Sequence, residues 1–252
     1  MRHMYENWYL KFKDPELTNL MYGCARATTI EHFEERMEDM KKLNEEAYKW
    51  LRARDPKGWC KAYFTTRARS DTQVNNMSEC FNKWILKGRD KPIYELCEYL
   101  RAKLTKLFFE RHHKFDNYHE EICPNMITML EYNKLRSANY VAINCGGNVF
   151  EVKEGTRTRV VDITENSCSC LGWQLNGIPC RHAIAAMAVL RTKPEEYVHK
   201  YFHVDTYLNI YSEFLKPIPS MDEWPRSSHY PRAAPPIVHI PLGRPRTRKS
   251  EA

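Results

Sequence analysis

Three cysteines and one histidine fall within a 15-residue stretch, Cys168-x-Cys170-x9-Cys180-x-His182. Thiolate sulfur and imidazole nitrogen are soft and borderline donors. Four of them fill the shell of a tetrahedral structural zinc, at about 2.3 Å for sulfur and about 2.0 Å for nitrogen. The spacing suits that geometry at both ends. Residues two apart in an extended strand share a face, so Cys168 and Cys170 meet one ion if they end a strand. Inside a regular helix, residues two apart diverge by about 200°. Cys180 is therefore expected at a helix entry, with His182 in the first turn just after Pro179. A thiolate there also meets the positive end of the helix dipole. Three thiolates and a neutral imidazole around a divalent ion leave a charge of about −1, which Arg181 is placed to offset. A catalytic zinc keeps one position for water, whereas four protein donors close the shell, so the expected cofactor is one structural Zn2+. The other six cysteines (Cys24, Cys60, Cys80, Cys97, Cys123 and Cys145) have no close partners and are expected to be core thiols.

The elements that must position these donors change character along the chain. Asp14-Pro15 reads as an N-cap with proline at the first helical position, opening a short helix toward Cys24. Thr28 and Glu31 form a capping-box pattern, and from Ile30 through Phe33, Met37, Met40, Leu43, Ala47 and Leu51 the apolar spacing predicts one long amphipathic helix. Asp55-Pro56 opens another short helix. A further one starts at Asn75 or Asn76 and runs through Phe81, Trp84 and Ile85. A fourth stripe, Ile93, Leu96, Cys97, Leu100, Leu104, Leu107 and Phe108, follows Gly88. Each stripe is expected to face the core. Near Asn139 the pattern becomes short β-rich runs, Tyr140–Ile143, Val149–Val152 and Arg159–Ile163, separated by glycine turns. That predicts an antiparallel meander leading into the cysteines, then an alanine-rich helix from about Arg181 to Leu190.

The fold class expected is α+β, predominantly helical: a helical segment over 1–140, a small zinc-stabilised β-hairpin/helix module over 141–192 with its core at 151–192, a short helical extension over 193–216, and a disordered Pro-rich basic tail over 217–252. With 252 residues, 42% hydrophobic and 28% charged, the chain can bury a core without disulfides. Its longest apolar run, Ala183–Leu190, is too short to span a bilayer, and charged residues interrupt the first twenty positions, so neither a membrane span nor a secretory signal is expected. The compartment expected is reducing. Of the net charge of +7, residues 226–252 hold +5. That asymmetry points to a polyanionic partner.

The cysteine-histidine pattern after a β-hairpin, with Gly177-Ile178-Pro179-Cys180-Arg181-His182-Ala183 before a helix, resembles the SWIM-type zinc finger. The likeness extends further. Arg2-His3, Tyr5-Glu6-Asn7, Cys24-Ala25-Arg26-Ala27-Thr28, Phe33, Asn75-Asn76-Met77-Ser78-Glu79-Cys80-Phe81-Asn82 and Trp84-Ile85 are similar to the region between catalytic core and zinc finger of plant Mutator-like transposases. The Pro-rich stretch ending in Gly243-Arg244-Pro245-Arg246 fits their C-termini.

Those transposases are DDE enzymes on a ribonuclease-H-like fold, in which three carboxylates hold two divalent metals for strand cleavage and transfer. The resemblance implies that Glu79 matches the last acidic residue, although Asn76-x-x-Glu79 also reads as a capping box. His3 resembles the histidine of a Cys-x-x-His motif whose cysteine would fall just before Met1, and both aspartates would lie earlier still. Asp71 has no counterpart. No Ser-His-Asp set or glycine-rich phosphate loop replaces the missing acids. The implied function is a transposase-derived module in the nucleus that binds DNA or protein through its zinc finger, without independent transposase activity, membrane contact or a small-molecule substrate. A DDE fragment completed by another chain and a non-functional remnant are the alternatives. Gly243-Arg244-Pro245 is also the core of an AT-hook: Arg244 is expected in the minor groove, with Arg246, Arg248 and Lys249 on flanking phosphates.

Overall fold

The computed structural model describes residues 2–72 and 76–225. The tail residues Arg244, Arg246, Arg248 and Lys249 lie outside the described residues. The chain divides into two units, 1–215 and 216–252. Of the second, residues 216–225 are described: they hold a single 3-10 turn, Met221–Glu223, with Trp224 Nε1 donating to Pro219 O at 2.9 Å.

The first unit opens with four helices, α1 (Arg2–Lys11), α2 (Pro15–Arg26), α3 (Ile30–Leu43) and α4 (Glu45–Arg52). Asp14 caps α2 by accepting from the Glu16 amide at 2.7 Å. The cap of α3 is Thr29, which accepts from the His32 amide at 3.3 Å, and not Thr28. Thr28 instead donates its hydroxyl to Cys170 O at 2.6 Å, tying the helical region to the cysteine loop. The long helix expected from Ile30 to Leu51 is two helices. Asn44 adopts an extended backbone and its side chain accepts from the Ala47 amide at 2.9 Å, so a new N-cap interrupts a continuous apolar stripe. Leu17, Met21, Phe33, Met37, Met40 and Leu51 bury together with Trp8, Trp59 and Cys60. Burial of each such large apolar side chain stabilises the fold by about 1.5–3 kcal/mol.

The next two helices depart from expectation. Neither α5 (Asn76–Ile85) nor α6 (Ile93–His112) places its apolar stripe in a core: α6 buries no residue, and Phe81, Ile93 and Phe109 are exposed. An apolar face needs an opposing surface as well as periodicity, and these two helices meet only partial ones: the turn between them, and at the end of α6 the ring of Tyr211, 5.4 Å from Phe108. There Lys103 Nζ lies 4.9 Å from the rings of both Trp84 and Tyr99 and donates to Trp84 O at 2.6 Å. Cys80, Cys97 and Cys145 are likewise exposed and not core thiols, and Cys123 is half-buried. Cys24 and Cys60 are buried as expected, and burial pushes their thiols up to about 12 and about 11.

The sheet is a four-stranded antiparallel meander, β1 (Val141–Gly146), β2 (Val149–Glu154), β3 (Arg157–Asp162) and β4 (Ser167–Cys168), in that spatial order. Directly opposed residues share a face. The pairs Phe150↔Val161 and Val161↔Cys168 therefore set the first cysteine among the buried apolar residues. In the chain α7 (Pro124–Ser137) precedes the sheet, and α8 (Gly172–Asn176), α9 (Arg181–Leu190) and α10 (Val204–Ile210) follow it. Ala183, Ala186 and Met187 of α9 close over Phe150, Val152 and Val161. Leu130 of α7 packs with Ile184 of α9, Ile178 and Val198. Gly177 follows α8 at φ +71°, where a Cβ would sit 2.9 Å from His199 Cβ, so only glycine closes this turn without strain. No helix among the described residues is long and apolar enough to cross a membrane.

Candidate metal centre

Cys168, Cys170, Cys180 and His182 converge, and their donor atoms all lie within 4.8 Å of one another. The paired strand carries Cys168 and reaches Ser169, whose amide donates to Val160 O at 2.8 Å. The chain then turns back, with the Leu171 amide on Cys168 O at 2.8 Å and Leu171 itself left-handed at φ 58°. This turn brings Cys170 beside Cys168. Cys170 sits just beyond the strand, so the two thiols meet through a turn and not through strand alternation alone. On the other side, Cys180 is the N-cap of α9 and His182 lies in its first turn, as the spacing predicts.

The geometry fits a tetrahedral ion. His182 Nδ1 is 3.7 Å from Cys168 Sγ and 3.8 Å from Cys180 Sγ. A tetrahedron with zinc-ligand distances of about 2.3 and 2.0 Å has sulfur-nitrogen edges of about 3.5 Å. The backbone is also arranged for thiolates, with the Cys170 amide 3.5 Å from Cys168 Sγ and the Gly172 amide 3.4 Å from Cys170 Sγ. The protonation of the cluster makes the same point. Hydrogen bonds with Cys168 and Cys180 pull the Cys170 thiol well down, while contacts with Cys168 and Cys170, and burial, push Cys180 well up. Cys168 is pushed up to about 12, chiefly by its hydrogen bond with Cys170. Three packed thiols cannot all ionise by themselves. A divalent cation supplies the charge that permits it.

Around the donors stands a second layer that the sequence pattern did not reveal. His182 is 2% exposed, and Tyr140 meets its ring edge-on at 5.0 Å. Its Nε2 lies 3.2 Å from Glu154 Oε2, within ion-pair reach although off the line of a well-directed hydrogen bond. Glu154 Oε1 accepts from Arg181 Nη2 at 2.7 Å and from the Tyr140 hydroxyl at 3.2 Å. Burial works to raise the Glu154 carboxyl, but His182 and Arg181 together hold it below the usual carboxylate range. Arg181 is thus bound to Glu154 and does not face the sulfurs directly. Gln174 clamps the backbone of Cys168, accepting from its amide at 3.2 Å and donating to its carbonyl at 3.0 Å. Glu154 and Gln174 stand outside the 168–182 ligand spacing or between its cysteines, and nothing in their spacing signals either role.

The other candidate residues are dispersed. Glu79 lies in the first turn of α5, half-exposed, with His3 Nε2 3.2 Å from its Oε1. Asp71 forms an ion pair with Lys61. Among the described residues, Cys168, Cys170, Cys180 and His182 are the only group of three or more side chains placed to share a metal.

Comparison with known proteins places these observations. No curated protein and no solved structure matches the chain. Residues 150–190 match the family model of the SWIM zinc finger, a segment that begins in β2, ends with α9 and contains all four donors. The chain therefore contains a SWIM zinc finger at 150–190, whose Cys3His cluster is positioned to bind one zinc ion.

Proposed function

We propose that this chain is a nucleic-acid-binding module of a transposase-derived nuclear protein, organised by structural zinc and without strand-transfer chemistry of its own. The observation that carries the reading is the closed four-donor shell, which holds no position for a reacting water and ties sheet, loop and helix into one frame. When bound, zinc supplies cross-linking of that frame. The residues do the rest: Cys168 and Cys170 anchor the loop to β4, Cys180 and His182 anchor α9, and Thr28 and Gln174 hold the loop backbone. Transposase derivation rests on the sequence likeness from Arg2 to Ile85, and the polyanion partner on the charge asymmetry.

The test is fluorescence anisotropy of the zinc-loaded chain with labelled duplex and single-stranded DNA, before and after chelation. Binding that falls with chelation and returns with zinc is expected. Absence of binding to either at low salt overturns the reading. One observation favours a second reading, a DDE fragment completed by another chain: His3 and Glu79, both part of the transposase likeness, are in contact. Cleavage of DNA carrying terminal inverted repeats in Mg2+ or Mn2+, abolished by Glu79→Gln, would establish that alternative.

A further inference from the structure

Residues far apart in the sequence close a cleft of about 620 Å3 against the zinc centre, with Cys170, Cys180 and His182 in its wall. Six arginines line it: Arg26 at the end of α2, Arg36 on α3, Arg136 on α7, Arg157 and Arg159 on β3, and Arg181 on α9. Glu154 is the one carboxylate among the described residues of the lining. General basicity does not explain this, because residues 1–225 carry a net charge of only +2.

Charge pairing within the cleft is incomplete. Arg181 and Arg159 share Glu154, and Arg157 pairs with Glu35. Arg159 Nε is buried and lies 3.7 Å from Glu154 Oε2, within ion-pair reach but without a hydrogen bond. Arg26, Arg36 and Arg136 have no carboxylate partner among the described residues. Arg26 and Arg136 rest 5.5 Å and 4.5 Å from the ring centroids of Tyr22 and Tyr132, which orients a guanidinium without saturating its N–H groups. With the zinc centre at about −1, about three positive charges stay uncompensated. His32 also lines the cleft. Burial, then Arg36 and Arg157, hold its imidazole below the ordinary range.

We infer that this cleft binds the phosphodiester backbone of a nucleic-acid strand, with Arg26, Arg36 and Arg136 as the phosphate-contacting residues. The guanidinium fork matches phosphate oxygens in pairs. A cleft of this volume, with arginines contributed by five separate elements, fits a chain of phosphates better than one ion. Tyr132, whose ring Arg136 meets at 4.5 Å, is 54% exposed in the lining and is placed to stack a base beside the phosphate contacts. The inference rests on the nucleic-acid-binding reading above and places its site in the zinc-bearing unit instead of the tail.

The experiment measures anisotropy against salt for three zinc-loaded proteins: the full chain, the triple variant Arg26→Ala, Arg36→Ala, Arg136→Ala, and a chain lacking residues 226–252. Zinc content and melting temperature serve as folding controls, and the corresponding triple lysine variant retains charge while losing the fork. Each lost phosphate contact on duplex DNA lowers the slope of log K against log salt by about 0.9, so the alanine variant should lose up to about 2.7 units and bind at least about tenfold more weakly at low salt. The lysine variant should keep most of the slope. An unchanged slope in the alanine variant, with binding lost on tail deletion, overturns the cleft and leaves the nucleic-acid reading standing. No binding by the full chain overturns that reading itself. Polyglutamate competing as well as the oligonucleotide assigns the cleft to acidic protein and overturns the inference, as does competition by inorganic phosphate at equal phosphate concentration.

Discussion

Replacing Glu154 by Gln removes the one carboxylate that faces the metal-binding histidine while preserving the size of the side chain. In the native arrangement Oε2 faces His182 Nε2 at 3.2 Å, and Oε1 takes Arg181 at 2.7 Å and Tyr140 at 3.2 Å. With its metal-facing Nδ1 deprotonated, the neutral imidazole carries its proton on Nε2, and the Glu154 carboxylate is the negative charge facing that proton at ion-pair distance. A glutamine has one oxygen for these donors. If it serves Arg181 and Tyr140, its NH2 group confronts the Nε2–H of a histidine that is 2% exposed. Replacing that facing charge by a second donor leaves buried polar groups mismatched, at a cost of about 1–3 kcal/mol. Outer partners of metal-bound histidines are typically worth 10–100-fold in affinity, or about 1.4–2.7 kcal/mol, so the two magnitudes agree. Competition with a chromogenic chelator at fixed pH should therefore show zinc bound about 10–100-fold more weakly by Glu154→Gln. The cobalt-substituted variant should keep its thiolate charge-transfer bands, because all three sulfurs remain. Zinc affinity within about twofold of the native chain would refute the argument that Glu154 orients His182.

Elemental analysis should find about one zinc per chain, and Cys170→Ser should lose metal and melting temperature together, because structural zinc of this kind contributes about 10–16 kcal/mol of apparent binding energy. Leu51→Ala, at a fully buried position, should cost about 2–5 kcal/mol in denaturant unfolding, whereas Leu135→Ala, at 80% exposure on α7, should change stability by no more than about 0.5 kcal/mol. His32 should titrate below the ordinary value of 6.5 by NMR. Because its neutral form is favoured in the fold, the unfolded chain takes up the proton first as pH falls. The stability tied to His32 is therefore present above 6.5, is lost as pH drops from there through the folded value, and is regained with rising pH. A bound polyanion should move the His32 titration upward.

What could be read without a structure was local. The four zinc donors lie within 15 residues, so strand, turn and helix entry follow from near neighbours, and the spacing Cys180-x-His182 after Pro179 excludes one continuous helix. The caps at Asp14 and the start of α9 were legible for the same reason, since a cap is made within three residues of itself. Periodicity was less informative where two outcomes share one pattern. The stripe from Ile30 to Leu51 continues in phase across Asn44, and only the Asn44 bond to the Ala47 amide reveals the break.

Burial was undecided by sequence wherever it depends on a distant surface. Both α5 and α6 carry apolar residues at helical spacing, as α3 does, yet α3 packs into the first core while α6 buries nothing. An amphipathic face states that a helix has something to cover, and the rest of the chain determines whether anything covers it. Thr28 shows the same dependence at one residue: its neighbours suggest a cap, and the carbonyl of Cys170, more than a hundred positions away, claims its hydroxyl. By itself the sequence determined the zinc ligands and the order of helix, meander and helix, because short-range spacing sets them. The tertiary structure alone decided the Glu154 partnership of His182 and the convergence of six arginines from Arg26 to Arg181, because side chains so distant in sequence share a field only after packing brings their elements together.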